Sequence, residues 1–270
     1  MARRYRANTE RRIAQLRREG RGQGSGETYL PQIRVSDFSS SGRVHRRPSS
    51  KFERVVHLLS DIEEDTFLPF DGAALVADVR EQFPLPRDET YELALAHGLR
   101  HPKIGGVLVV MTTDMVVDFV DGRRVAVSVK PAGELSNRNT IAKLEIERLY
   151  WERMGVAWHL VTEREIEEGS RINNQQLVEW RFLDGCEDGE EHWDARAAAL
   201  LGPLAKVLRS AGRPRVIDAI KRVEASNGWQ PGDGLSALRR LLALGMVRLT
   251  ADRRFDPFGP VDQLEIVVAS

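Results

Sequence analysis

From residue 52 onward the apolar positions fall into short runs whose spacing changes along the chain, and that spacing sets the expected elements. Val55, Val56, Leu58 and Leu59 lead to Ser60, which reads as the N-cap of a helix carrying Ile62, Phe67 and Leu68. Residues 74–79 read as a short strand running into Arg80-Glu81-Gln82-Phe83, and Pro84 and Pro86 argue against a central strand beyond Phe83. A helix over 89–99 ends near Gly98, and His101-Pro102 opens a turn. Two apolar stretches, 107–111 with 115–120 and then 125–129, read as strands of a hairpin joined by Asp121-Gly122. Residues 137–154 form a helix, with Ala142, Ile146, Leu149 and Tyr150 on one face and Gly155 as its stop. A strand over 156–162 completes the order strand, strand, helix, strand, which predicts a compact α/β core with a mixed sheet.

Outside this core the pattern differs at both ends. Residues 21–26 are glycine-rich and 39–42 form a second loop, so the segment before residue 52 is expected to be an arm with little core of its own, with 33–35 as a short strand. After Glu163 helical segments dominate: 193–208, broken or kinked at Gly202-Pro203, then 216–223, then 235–244 stopped by Gly245. Two short strands, 247–250 and 264–268, with a polar turn at 252–254, follow as a possible β-wing. Three helices and a wing suggest a winged helix-turn-helix module. The expected organisation is therefore an arm over 1–51, an α/β domain over 52–165 and a winged-helix-like domain over 166–270.

A net charge of zero conceals a segregation. Residues 1–54 hold 14 Lys+Arg against 5 Asp+Glu, leaving +9 there and the opposite charge on the rest. Arg3, Arg4, Arg6, Arg11, Arg12, Arg17, Arg18, Arg21, Arg43, Arg46 and Arg47 make the arm suited to a polyanion, through phosphate neutralisation and counterion release. No apolar stretch approaches the ~20 residues of a membrane span, and the basic start leads into no apolar signal segment. The single cysteine, Cys186, excludes an intramolecular disulfide and a cysteine-based zinc site, and a reducing, cytoplasmic setting is expected.

Candidate chemistry centres on Asp114 and Lys130, at the mouth of the hairpin, with Glu63 upstream. A two-residue loop at Asp121-Gly122 would set Lys130 opposite Thr113 and so on the other face from Asp114. A three-residue loop including Arg123, or a bulge, is therefore required for the two side chains to meet. Each residue also has an ordinary structural explanation. Thr112-Thr113-Asp114 is good turn chemistry, Lys130 is a strand end before Pro131, and Ser60-x-x-Glu63 is a capping box. Glu147 stands one helical turn from Lys143, a natural ion-pair partner, and His101 reads as a turn histidine.

Taken together, several stretches resemble the TnsA family, the endonuclease subunit of heteromeric cut-and-paste transposases. They are Pro31 to Val35, Leu59-Ser60-Asp61-Ile62-Glu63, Asp78 to Leu85, His101-Pro102, Met111-Thr112-Thr113-Asp114, Val127-Ser128-Val129-Lys130 and Lys143 to Trp151. The resemblance implies a restriction-endonuclease-like mixed-sheet core and metal-assisted phosphodiester hydrolysis with Mg2+, or Mn2+ in its place. It implies Glu63 and Asp114 as metal ligands, helped by the carbonyl of Val129, with Lys130 as the catalytic lysine and Glu147 as a further acidic position. Where related nucleases carry an acid or a glutamine, this chain has Ser128, a weaker ligand. Arg43, Arg46, Arg47, Arg80 and Gln82 are the expected DNA contacts. The implied partners are double-stranded transposon ends, an RNase H-like transposase of the TnsB type and a AAA+ ATPase regulator of the TnsC type. Two other readings remain at this point: an inactive DNA-binding or assembly subunit, and a stand-alone restriction-like nuclease.

Overall fold

The computed structural model describes residues 8–37, 43–49, 51–73, 75–181, 189–210, 212–250 and 254–267. The chain divides into two compact units, 1–165 and 166–270. Among the described residues no helix is long and apolar enough to cross a membrane. Cys186, Arg3, Arg4 and Arg6 lie outside the described residues.

The first unit begins with helix α1 (Glu10–Arg18), capped by the Thr9 side chain, which accepts the Arg12 N–H. A hairpin of β1 (His45–Ser49) and β2 (Arg54–Leu58) follows, then α2 (Asp61–Gly72), β3 (Val76–Pro84) and α3 (Arg87–Ala96). Two-residue strands β4 (Lys103–Ile104) and β5 (Val107–Leu108) pair with each other; then come β6 (Thr112–Phe119), β7 (Arg124–Val129), α4 (Arg138–Arg153) and β8 (Ala157–Val161). The main sheet has the order β3-β6-β7-β8, antiparallel except for the parallel pair β7/β8. That parallel pair requires a crossover, and α4 supplies it. Helices α3 and α4 close one side through Leu85, Ala94, Val116, Ala126, Ile146, Tyr150 and Trp151.

Four expectations are corrected here. Residues 107–111 do not belong to the main hairpin: Gly105 and Gly106, both at positive φ, turn β5 back on β4. Thr112-Thr113-Asp114 is consequently strand and not turn, because Thr112 and Thr113 pair with Pro84 and Phe83 of β3. Residues 33–35 form no strand, since the Asp37 carboxylate accepts the Arg34 N–H at 2.8 Å and folds Val35–Asp37 into a 3-10 turn. Nor is the start of the chain without a core. Tyr29 is buried and donates its hydroxyl to the Glu81 carbonyl at 2.9 Å, and Arg21 is buried beside Asp37.

The second unit contains α5 (Glu168–Arg181), α6 (Gly189–Arg209), α7 (Val216–Asn227), α8 (Asp233–Ala243) and the antiparallel pair β9 (Val247–Leu249) and β10 (Leu264–Ile266). Its core joins Leu200 and Leu204 of α6 to Val216, Ile220 and Val223 of α7 and to Leu238 and Leu241 of α8. The expected break at Gly202-Pro203 does not occur: α6 runs continuously through it, with the buried Leu200 and Leu204 on either side. The turn from α7 to α8 is fixed by the Glu224 carboxylate, which accepts the Gly232 and Gly234 N–H groups at 3.0 and 2.9 Å. A Cβ at Gly234 would lie 2.6 Å from Ile220 Cγ2, so glycine is needed for the two helices to approach. The expected turn at 252–254 lies outside the described residues; beyond it the chain returns to the core, with Phe255 buried before β10 begins.

Candidate active site

The loop between β6 and β7 determines whether Asp114 and Lys130 can meet. Phe119 N–H bonds to the Arg123 carbonyl at 2.8 Å and Asp118 pairs with Arg124, so the loop is three residues, Val120-Asp121-Gly122. Gly122 takes a φ of 84, the left-handed position that closes such a loop. The expected third residue was Arg123, and the structure uses Val120 in its place. Either choice gives Asp114 and Lys130 like parity in the register, which is what the chemistry requires. The paired run of β6 and β7 ends at Met115 and Val127. Beyond it the Val129 N–H donates to Asp114 Oδ2 at 2.7 Å, and Lys130 Nζ reaches the same oxygen at 2.8 Å.

Glu63 arrives from the first turn of α2 and is buried, as is Asp114. It acts partly as the cap its sequence suggests: the Ser60 side chain accepts the Glu63 N–H at 3.1 Å, while Glu63 Oε2 accepts the Leu59 N–H at 2.9 Å. The rival roles are therefore compatible, because the same carboxylate also faces inward. Gln82 joins the two acids, its Nε2 lying 3.3 Å from Glu63 Oε2 and 3.3 Å from Asp114 Oδ1. This residue has a φ of 47, a left-handed backbone that costs a non-glycine residue roughly 1–2 kcal/mol. Strain of this kind persists where the surroundings enforce it and gathers at functional sites.

Ser128 and Glu147 form a second layer beside these groups. The fully buried Ser128 hydroxyl donates to Glu147 and accepts the Trp158 indole N–H at 3.1 Å. Trp151 Nε1 donates to the Thr113 hydroxyl at 2.7 Å, and that hydroxyl also bonds to Glu147. The expected partner Lys143 is exposed, whereas Glu147 is buried, so the i, i+4 ion pair is absent.

The electrostatics follow from crowding acids in a dry place. Burial, then the charge of Asp114, pushes Glu63 up to about 8, and the same two causes push Glu147 up to about 7. Burial works against the Lys130 ammonium, but Asp114, through charge and hydrogen bond, with Glu147 and Glu63 behind it, outweighs burial and raises its pKa. Lys130 is thus held as a cation.

Among the described residues no three His, Cys, Asp or Glu side chains converge as a metal cage. The available donors are two carboxylates, the Gln82 amide and the Val129 carbonyl, which also accepts from Lys130 Nζ at 2.6 Å. Such an oxygen set fits Mg2+, which takes one or two carboxylates and completes its shell with water and substrate phosphate oxygens.

The expected DNA contacts divide. Arg43 and Arg46 are exposed and carry no ion pair among the described residues. Arg47 is paired with Glu64, and Arg80 is paired with Asp118 at 2.7 Å under the Phe83 ring. Gln82 is buried, so its place is within the site and not on a DNA-facing surface. The sequence marked it only as a DNA contact, because a left-handed glutamine inside a strand has no local signature. His101 is structural: Nε2 and Nδ1 are engaged by Thr90 and by the Pro102 carbonyl, each at 3.1 Å.

Residues 74–163, which hold Gln82, Asp114, Ser128, Lys130 and Glu147, match the family described as TnsA-like endonuclease N terminal. The chain is also similar to "Transposon Tn7 transposition protein TnsA" of Escherichia coli, with 39% identity over 249 residues, covering 92% of this chain and 88% of that protein. Likeness at that level extends through both units of the fold as well as the site, and the chain belongs to the TnsA family.

Proposed function

We propose that this protein is a divalent-metal-dependent DNA endonuclease of a cut-and-paste transposon, hydrolysing phosphodiesters at the 5′ ends of the element. The observation that carries the reading is the convergence of Glu63, Asp114 and Lys130 from three separate elements, with Lys130 Nζ 2.8 Å from Asp114 and the Gln82 amide between the acids. Transposition is the role named for the E. coli relative, and endonuclease is the activity named for the matching family. An RNase H-like transposase, a AAA+ ATPase and double-stranded transposon ends are the partners this reading assigns.

Glu63, Asp114 and the Val129 carbonyl would hold Mg2+, with Mn2+ able to replace it. When bound, the cation would supply Lewis acidity, lowering the pKa of a bound water and neutralising charge on the phosphate oxygens. Lys130 has three N–H donors. Two are occupied by Asp114 and Val129, leaving the third to donate to a phosphate oxygen as negative charge develops there. Its raised pKa suits charge stabilisation and not proton abstraction. Glu147 and Ser128 hold the end of β7, and thereby Lys130, from behind. Arg43 and Arg46, both exposed, would meet backbone phosphates.

The test is strand-specific nicking of transposon-end DNA with Mn2+, using the full chain and its cognate transposase. Asp114→Ala and Lys130→Ala are expected to lower nicking at least a hundredfold, and undiminished cleavage by Asp114→Ala overturns the assignment. A second reading, an assembly subunit without nuclease activity, draws on the full burial of Ser128 and the engagement of its hydroxyl with Glu147 and Trp158. Absence of nicking under every metal and partner condition selects it.

A further inference from the structure

Gln82 is buried at the centre of the site, and its backbone and side chain both depart from the strand that contains it. Its neighbours Glu81 and Phe83 keep their ladder partners Met115 and Thr113, while Gln82, opposite Asp114, drops out of the ladder. The left-handed φ turns its carbonyl to the Gln32 N–H at 3.2 Å and frees its side chain to enter between Glu63 and Asp114. Of the described non-glycine residues only Glu53 shares a positive φ, and Glu53 is exposed.

The amide makes three contacts, each 3.3 Å long: Nε2 to Glu63, Nε2 to Asp114, and Oε1 from the Thr112 hydroxyl. These distances lie beyond the usual 2.7–3.2 Å of an N–H···O bond, so none of them locks the amide. The Thr112 hydroxyl donates or accepts equally well, and an amide exchanges donor for acceptor by turning over. The reversed orientation keeps the Thr112 bond and directs Oε1 between the two acids. Ser128 is fully buried behind the acids, with its hydroxyl already engaged by Glu147 and Trp158.

We propose that Gln82 supplies a neutral amide-oxygen ligand to the divalent cation held by Glu63 and Asp114, turning its side-chain amide over as the cation enters. The proposal rests on the metal-dependent reading above. It gives the strained backbone a purpose: the left-handed Gln82 leaves the ladder hydrogen bonding and has its side chain seated between the two acids. Gln82 is then a residue of the metal site itself, donated by β3, the strand next to β6, which carries Asp114.

The experiment is isothermal titration of the full chain with Mn2+ in the absence of DNA, for the wild type, Gln82→Leu, Gln82→Glu and Asp114→Ala. Thermal unfolding in EDTA confirms that each variant is folded. Gln82→Leu is expected to bind Mn2+ at least tenfold more weakly, and Gln82→Glu at least threefold more tightly, with a larger rise in melting temperature on adding the metal. If Gln82→Leu does not fold, Gln82→Asn replaces it, because asparagine tolerates the left-handed backbone and its amide is one methylene too short. The same tenfold loss is expected there. Unchanged affinity in the Leu or Asn variant, with binding abolished by Asp114→Ala, overturns the role of Gln82 and leaves the nuclease reading standing. Absence of Mn2+ binding by the wild type, or full binding by Asp114→Ala, overturns both.

Discussion

Glu63→Gln is expected to make the protein more stable while removing its activity. Glu63 is buried, and burial followed by the charge of Asp114 moves its pKa from the ordinary 4.5 to about 8. In the unfolded chain the group titrates near 4.5, so between 4.5 and 8 the folded protein binds more protons than the unfolded one. Stability contributed by this group therefore falls as pH rises through that window and levels off above 8. A rise from 4.5 to about 8, at about 1.4 kcal/mol for each tenfold change in proton affinity, sets a ceiling of roughly 5 kcal/mol. Relaxation and water entry give buried sites an effective dielectric nearer 20 than 4, which lowers the expected figure to about 2–3 kcal/mol. Glutamine preserves the geometry: its carbonyl oxygen can accept from Leu59 N–H and Gln82 Nε2, and its amino group can donate to the Ser60 hydroxyl. Urea unfolding of the wild type and Glu63→Gln in EDTA at pH 5, 6.5 and 8 reads the effect. The two proteins should be nearly equal at pH 5, and the variant should be more stable by about 2–3 kcal/mol at pH 8. Mn2+ should narrow that gap by stabilising the wild type. A gap independent of pH, or a variant less stable at pH 8, refutes the reasoning.

Further outcomes follow from the same geometry. Ser128→Ala leaves Glu147 with only the Thr113 hydroxyl and Trp158 without an acceptor; denaturant unfolding should show a loss of about 1–3 kcal/mol, while nicking should stay within tenfold of wild type, since the hydroxyl is fully buried. Gly22→Ala would place a Cβ 2.1 Å from Pro84 Cγ at a φ of 73; strain and overpacking together should cost about 2–4 kcal/mol in the same unfolding assay, and a neutral result would show that residues before 52 do not pack on β3. Burial, then the charges of Arg34 and Arg46, lowers the His57 pKa from 6.5 to about 4. The unfolded chain takes up that proton first, so the stability attached to a neutral His57 is present above pH 6.5 and lost as pH falls toward 4. His57→Gln should flatten the unfolding profile between those values, and an unchanged slope would count against the assignment.

Local chemistry made much of the fold readable from the sequence. Ser60 caps α2, Asn137 caps α4 with Gly155 just beyond its end, and the apolar spacing of 142–150 places Ile146 and Tyr150 in the core. These depend on contacts within a few residues, which a sequence displays directly. Asp114 and Lys130 were also legible as a pair, together with the condition that the loop between their strands hold three residues. Which three was not legible, because Val120 and Arg123 are both compatible with Gly122 at the closing position, and the pairing of Asp118 with Arg124 chooses between them. Residues 112–114 looked like a turn until β3 was there to pair with them. Gln82 shows the difference most clearly. Its sequence neighbourhood predicts an extended strand, and nothing local favours a left-handed glutamine. That conformation is held by residues far away in the chain: Gln32, which takes its carbonyl, and Glu63, Thr112 and Asp114, which surround its side chain. The sequence by itself determined most of the elements and which of them carry the candidate acids and lysine, because element formation depends on short-range properties. Only the tertiary structure decided how the acids are held together, since a buried cluster of like charges exists only where packing from several elements enforces it.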